Sequence, residues 1–229
     1  LDADERITSA VAVSDFEEEG YLTMFTRQGR AKRTMLSEFE NVRPSGLIAI
    51  RLEETPSGQD QLGWVRRTQG GQELIIVTEQ GQALRFRESD VRSMGRNAMG
   101  VYAIRLRPGD RVVSACVVNP KADLLTVTTK GYGKRTPMSA FRTQGRYTRG
   151  VLCFKGKNAG VIAAAGVVQP EDEITFITAG GITLRTEARE ISRLSRATKG
   201  VTIMDLKPED EIASMAVMPG TKQEPEPEA

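Results

Sequence analysis

Arginine and lysine recur in this chain at one register. Arg33, Arg85, Arg135 and Arg185 each follow a glycine (Gly29, Gly81, Gly131, Gly181) by four residues. Arg96, Arg146 and Arg196 each precede a second glycine (Gly100, Gly150, Gly200) by four, and Arg149 and Lys199 precede it by one. The first repeat is two residues shorter there and offers Arg43 before Gly46. Arg30, Lys32, Arg87, Arg92, Lys134, Arg142 and Arg193 complete the set of cations between the paired glycines that we single out. Cations fixed at equal intervals suit phosphate neutralisation, in which each contact releases a condensed counterion. Arg, Ser and Gly in loops favour backbone contact over base reading. Few aromatics interleave with them, which argues against stacking of single strands. Duplex nucleic acid is therefore the expected partner, and about six phosphate contacts would give a log–log salt slope near −5.

Other chemistry is poorly represented. The chain has no His, which removes Ser-His-Asp and Cys-His mechanisms and most zinc or iron ligand sets. Cys116 and Cys153 stand alone in apolar runs without CxxC spacing and read as buried reduced thiols. Gly131-Tyr132-Gly133-Lys134 echoes a phosphate loop but lacks GxxxxGK[ST] spacing. We expect no catalytic residue, no metal site and no cofactor in this chain. The apolar stretches are too short to span a membrane as a helix.

The charge total conceals this pattern. Across 229 residues, 32 Lys+Arg oppose 30 Asp+Glu, for a net charge of +2. The four windows 29–46, 81–100, 131–150 and 181–200 together carry +12, and the remainder carries −10. Window 131–150 contains no carboxylate.

Elements that could hold such a register follow from the repeat itself. The hairpin glycines are 52, 50 and 50 residues apart. Leu74 to Thr78, Leu124 to Thr128 and Ile174 to Thr178 are short β-prone runs ending at a Gly-containing pair, which marks a tight hairpin. A polar loop then leads to a second glycine and an apolar strand: LIAIRL from Leu47, VYAIRL from Val101, VLCFKG from Val151 and VTIMDL from Val201. A fourth strand precedes each unit, as in DRVVSACVV from Asp110, and recurs five times. About 50 residues and four strands per unit is the signature of propeller-type blades. The expected fold is all-β, with helix limited to single turns near Leu36 to Phe39 and Ser89 to Arg92. Residues 1–219 are read as one domain of four repeats centred on 21–52, 73–106, 123–156 and 173–206. Residues 220–229 alternate Glu and Pro and are expected to be a disordered acidic tail.

With these residues in view, KGYGKRTPMSAF (Lys130 to Phe141), SMGRNAMGVYAIRL (Ser93 to Leu106), LSRATKGV (Leu194 to Val201) and DADERITSAVAV (Asp2 to Val13) carry a family likeness. The chain resembles the C-terminal DNA-wrapping domain of bacterial DNA gyrase A subunits over Asp2 to about Pro219. The resemblance implies a β-pinwheel whose blades exchange strands and whose basic rim wraps duplex DNA in support of negative supercoiling. It further implies a cytoplasmic, nucleoid-associated assembly with the rest of the A subunit and the B subunit (A2B2), with ATP and Mg needed only by the holoenzyme. Arg146-Tyr147 looks like a DNA-cleaving pair, but the equivalent positions are Arg96-Asn97 and Arg196-Ala197, so Tyr147 reads as a loop variant. Family members usually carry six blades and a QRRGGKG-like box. Here four repeats stand without it, and Gln69-Gly70-Gly71 is too short. The start at Leu1 rather than Met leads us to expect about two further blades upstream. A topoisomerase IV A subunit, binding DNA without strong wrapping, and a protein-binding propeller remain the alternatives.

Overall fold

Each repeat opens with a hairpin built on the same turn. In the computed structural model, which describes residues 7–55, 58–156 and 158–220, Gly29, Gly81, Gly131 and Gly181 take φ of 77–83°. That left-handed geometry is one an L side chain resists. Each glycine N–H donates to the carbonyl of the threonine three residues back, at 3.0–3.1 Å. The same threonines, Thr26, Thr78, Thr128 and Thr178, accept through Oγ1 the N–H of the residue after the glycine, at 3.1–3.2 Å. Three turns are gripped again from the residue two places before a neighbouring strand. Asp60, Asp110 and Asp210 accept the N–H of Gln28, Gln80 and Gly180 at 2.9–3.0 Å.

The hairpins grow into sheets with one order: a flanking strand, the first hairpin strand, the return strand and a short cap. The first compact unit comprises the residues up to Val118 together with Arg142–Val151. Its first blade is Leu62–Thr68, Tyr21–Thr26, Arg30–Met35 and the cap Val101–Tyr102. Its second is Val112–Val117, Glu73–Thr78, Gln82–Arg87 and the cap that begins at Val151. Phe25, Leu74, Ile76, Leu84, Phe86 and Val112 are buried at its core, and each fully buried side chain of this kind contributes about 1.5–3 kcal/mol.

The second unit comprises Asn119–Phe141 and the residues from Leu152 on. Its blades are Ile162–Val168, Asp123–Thr128, Tyr132–Pro137 and the cap Val201–Thr202, then Ile212–Met218, Glu173–Thr178 and Thr183–Glu187. Leu125, Val127, Ile174, Phe176 and Ile212 form its core.

The all-β, propeller-like reading holds, with the only helical pieces among the described residues being the 3-10 turns Leu36–Phe39, Glu88–Asp90, Met138–Ala140 and Ala188–Glu190. The assignment of strands to repeats changes. The flanking strand belongs to the blade of the repeat it follows, not the one it precedes: Leu62–Thr68 pairs with Tyr21–Thr26. The cap comes from the next repeat, as Val101 and Tyr102 pair with Ala31 and Arg30. In consequence residues 47–52 form no strand, and the fourth blade has three strands rather than four among the described residues. Of the expected disordered tail at 220–229, Gly220 donates its N–H to Asp172 Oδ1 at 3.2 Å, and residues 221–229 lie outside the described residues.

Candidate nucleic-acid interface

The strand exchange creates the loops that carry the cations. After the second, third and fourth 3-10 turns the chain crosses to the preceding blade and runs beside its return strand. Met94, Gln144 and Leu194 donate N–H to the carbonyls of Arg33, Arg85 and Arg135, each at 2.8 Å. Gly100, Gly150 and Gly200, at φ of 82, 70 and 84°, then bring the chain so close that a Cβ would lie 2.5, 2.3 and 2.6 Å from the carbonyl oxygens of Ala31, Ala83 and Gly133. Pinned at both ends, the intervening residues face outward.

In the first unit these loops expose Arg92, Arg142, Arg146 and Arg149, with Arg96 half-buried. Arg142 and Arg149 hold no ion pair among the described residues, and neither do Arg43, Arg87 or Arg92, all exposed. Arg146 donates through Nε to the carbonyl of Asp90 at 3.0 Å and through Nη1 to that of Tyr102 at 3.1 Å, yet remains exposed. Tyr147 beside it takes φ +63° and lies 5.6 Å from the Tyr102 ring.

In the second unit the loop from Ser192 exposes Arg193 and Lys199, with Arg196 half-buried. Arg193 pairs with Asp123 at 3.1 Å, Arg196 donates to the carbonyl of Leu152 at 2.5 Å, and Lys199 Nζ sits 3.8 Å over the Tyr132 ring.

Other cations singled out by register are engaged within the blades. Arg85, Arg135 and Arg185 pair with Glu73, Asp123 and Glu173, the acids that open the first strand of each hairpin. Burial raises the Glu73 carboxyl, but hydrogen bonds from Thr143 and Arg85 outweigh it and hold the group below its usual range. Arg33 has Tyr21 at the matching position and lies 4.3 Å over that ring, with the buried Glu88 carboxylate 3.6 Å away. Arg30 pairs with Glu53 at 2.7 Å and covers Tyr102 at 4.1 Å. Lys32 and Lys134 are fully buried. An ammonium with no exposed surface cannot reach a phosphate, so these two leave the interface, as does Arg135 at 8% exposure.

Three cations absent from the sequence-based set enter instead. Arg51, Arg105 and Lys155 are exposed five residues after the second glycine, and their N–H groups anchor to Ala98, Thr148 and Thr198 at 3.3, 2.9 and 3.1 Å. Their register was visible in LIAIRL, VYAIRL and VLCFKG; the fourth repeat breaks it with Asp205.

Comparisons with known proteins agree with this fold. The family profile described as DNA gyrase C-terminal domain, beta-propeller, matches residues 20–55, 72–119, 122–167 and 172–217, more than half of the chain. The DNA gyrase A subunit of Synechocystis sp. is 44% identical over 113 residues, which are 48% of this chain and 13% of that protein. Its Escherichia coli counterpart is 42% identical over 123 residues, 54% of this chain and 13% of that protein. The matched stretches are thus a small part of these relatives. Among solved structures, the C-terminal domain of DNA topoisomerase IV superposes with TM-score 0.88 at 30% identity, covering 95% of this chain and 67% of that one. The DNA gyrase A C-terminal domain superposes with TM-score 0.80 at 28% identity, covering 90% and 68%.

Proposed function

The chain belongs to the DNA gyrase C-terminal domain, β-propeller family, and on that premise we propose that it binds and wraps duplex DNA without sequence preference. In this reading it is the C-terminal part of a type IIA topoisomerase A subunit and supports ATP-dependent negative supercoiling. The rest of the A subunit and the B subunit are its partners, and ATP and Mg are the business of that assembly. The carrying observation is the exchange loop from Arg142 to Gly150, which exposes three arginines, contains no carboxylate and is pinned at both ends. Rigid cations of this kind neutralise phosphates without reading bases. A topoisomerase IV A subunit is the second reading, favoured by the TM-score of 0.88 to that domain. Nicked circular DNA ligated in the presence of the chain separates the two. Wrapping leaves a shift in linking number, whereas binding alone retards the DNA in a gel and leaves no shift. Absence of salt-sensitive binding to random-sequence duplex defeats both readings.

A further inference from the structure

Three residues after the hairpin glycine the return strands alternate, with Lys32, Leu84, Lys134 and Leu184 at one register. Burial strips the two ammonium groups of water, so acceptors must replace it. The main source is the exchange loop of the following repeat in each blade. Lys134 Nζ donates to the carbonyls of Ser195 and Arg196 at 2.8 and 2.6 Å and to Thr198 Oγ1 at 3.0 Å. All three ammonium protons are thereby engaged. Lys32 Nζ donates to the carbonyl of Arg96 and to that of Ala49, the latter at 2.7 Å. The carbonyls held in common belong to Arg96 and Arg196, two cations of the interface. Charged or titratable neighbours are Glu38 and Arg96 around Lys32, and Cys153 and Arg196 around Lys134.

We propose that Lys32 and Lys134 are positioning residues for DNA binding: each ties down the exchange loop so that Arg96 or Arg196 is presented in one orientation, without itself touching DNA. The inference rests on the duplex-binding reading above. Where the register holds Leu84, the loop is secured differently, through the Arg146 side chain on the carbonyls of Asp90 and Tyr102. Arg146 thus makes two backbone bonds, whereas Arg196, whose loop Lys134 also holds, makes one, to the carbonyl of Leu152.

The test uses the whole chain, random-sequence duplex and a salt series, with Lys32→Met and Lys134→Met made singly and together. Met keeps the unbranched apolar stem and removes the ammonium. Each variant is expected to bind about tenfold more weakly, equivalent to about 1.4 kcal/mol. The log–log salt slope should stay unchanged, because every phosphate keeps its cation. A slope reduced by about 1 per lysine identifies a direct contact and overturns the proposal, as does unchanged affinity. The unmodified chain gives a second readout should a variant fold poorly. Burial lowers both lysine pKa values to about 8, and a neutral amine has two protons for the three acceptors around Lys134. Wild-type affinity should therefore fall as pH rises from about 7 to about 9. Cys153→Ala should keep that fall, and the double Met variant should lose it; a flat wild-type profile overturns the proposal. If the wild type binds no duplex at all, the functional reading fails instead. Amide hydrogen exchange in residues 95–99 and 195–199, faster in the Met variants if the anchors hold, then decides the anchoring alone.

Discussion

The side chains that look most alike in the sequence divide sharply by environment. Arg85 and Arg149 are both repeat arginines, yet one is ion-paired inside a blade and the other is exposed in a loop without a carboxylate. The buried lysines carry a stability signature that follows from their surroundings. Desolvation lowers Lys32 and Lys134 from 10.5 to about 8, so their carbonyl bonds do not fully offset the cost of burying charge. Between about pH 8 and 10.5 the unfolded chain binds more protons than the folded one, and stability must rise with pH across that window. The expected outcome is a denaturation midpoint that climbs from about pH 8 to pH 10 in the wild type, and a smaller climb in the chain carrying both K32M and K134M. Equal climbs would show that the lysines are not the titrating groups.

At the scale of elements, the fold rests on short strands donated between neighbouring repeats, and the second glycine of the last three repeats makes the donation possible. A methyl added at Gly150 would lie 2.3 Å from the Ala83 carbonyl oxygen. The backbones must then separate, and we expect Gly150→Ala to cost about 2–3 kcal/mol, added to the strain of its positive φ. Gly46 shares the positive φ, at 76°, but a Cβ there meets nothing within 4 Å. Gly46→Ala is expected to cost only about 1 kcal/mol, the backbone strain alone. Denaturant midpoints of the two variants provide the comparison, and equal losses would remove the close-approach argument. The hairpins were legible because Gly81, Gly131 and their equivalents leave a local signature of positive φ after a β-prone run. The exchange came only through the family resemblance, since nothing in VYAIRL itself says whether Val101 pairs with its own return strand or with Ala31. The buried lysines escaped for a related reason. Carbonyls of the following repeat are among their acceptors, 61 and 62 residues away for Lys134 and 64 for Lys32, and a carbonyl has no identity in a sequence.

For the molecule as a whole, a net charge of +2 averages two unlike populations. Acids such as Glu73, Asp123 and Glu173 lie at strand starts, where they take up arginines of the same blade. Many of the cations left over, Arg92, Arg142, Arg149, Arg105 and Lys155 among them, sit in the exchange loops or just past the caps, so much of the surplus positive charge is on the connections. Long-range attraction to a polyanion then depends on a minority of the basic residues, and salt dependence can count them. Neutralising Arg105 and Lys155, which sequence register alone did not bring into the set, should reduce the log–log salt slope by about 0.9 for each phosphate no longer neutralised. Affinity should weaken uniformly across duplex sequences, because phosphate contacts carry no base information. Arg85→Gln is the informative contrast: its guanidinium is held by Glu73, so the slope should not move even if stability falls. A slope that responds to Arg85 and not to Arg105 or Lys155 would place the phosphates on the blade faces rather than on the exchanged segments.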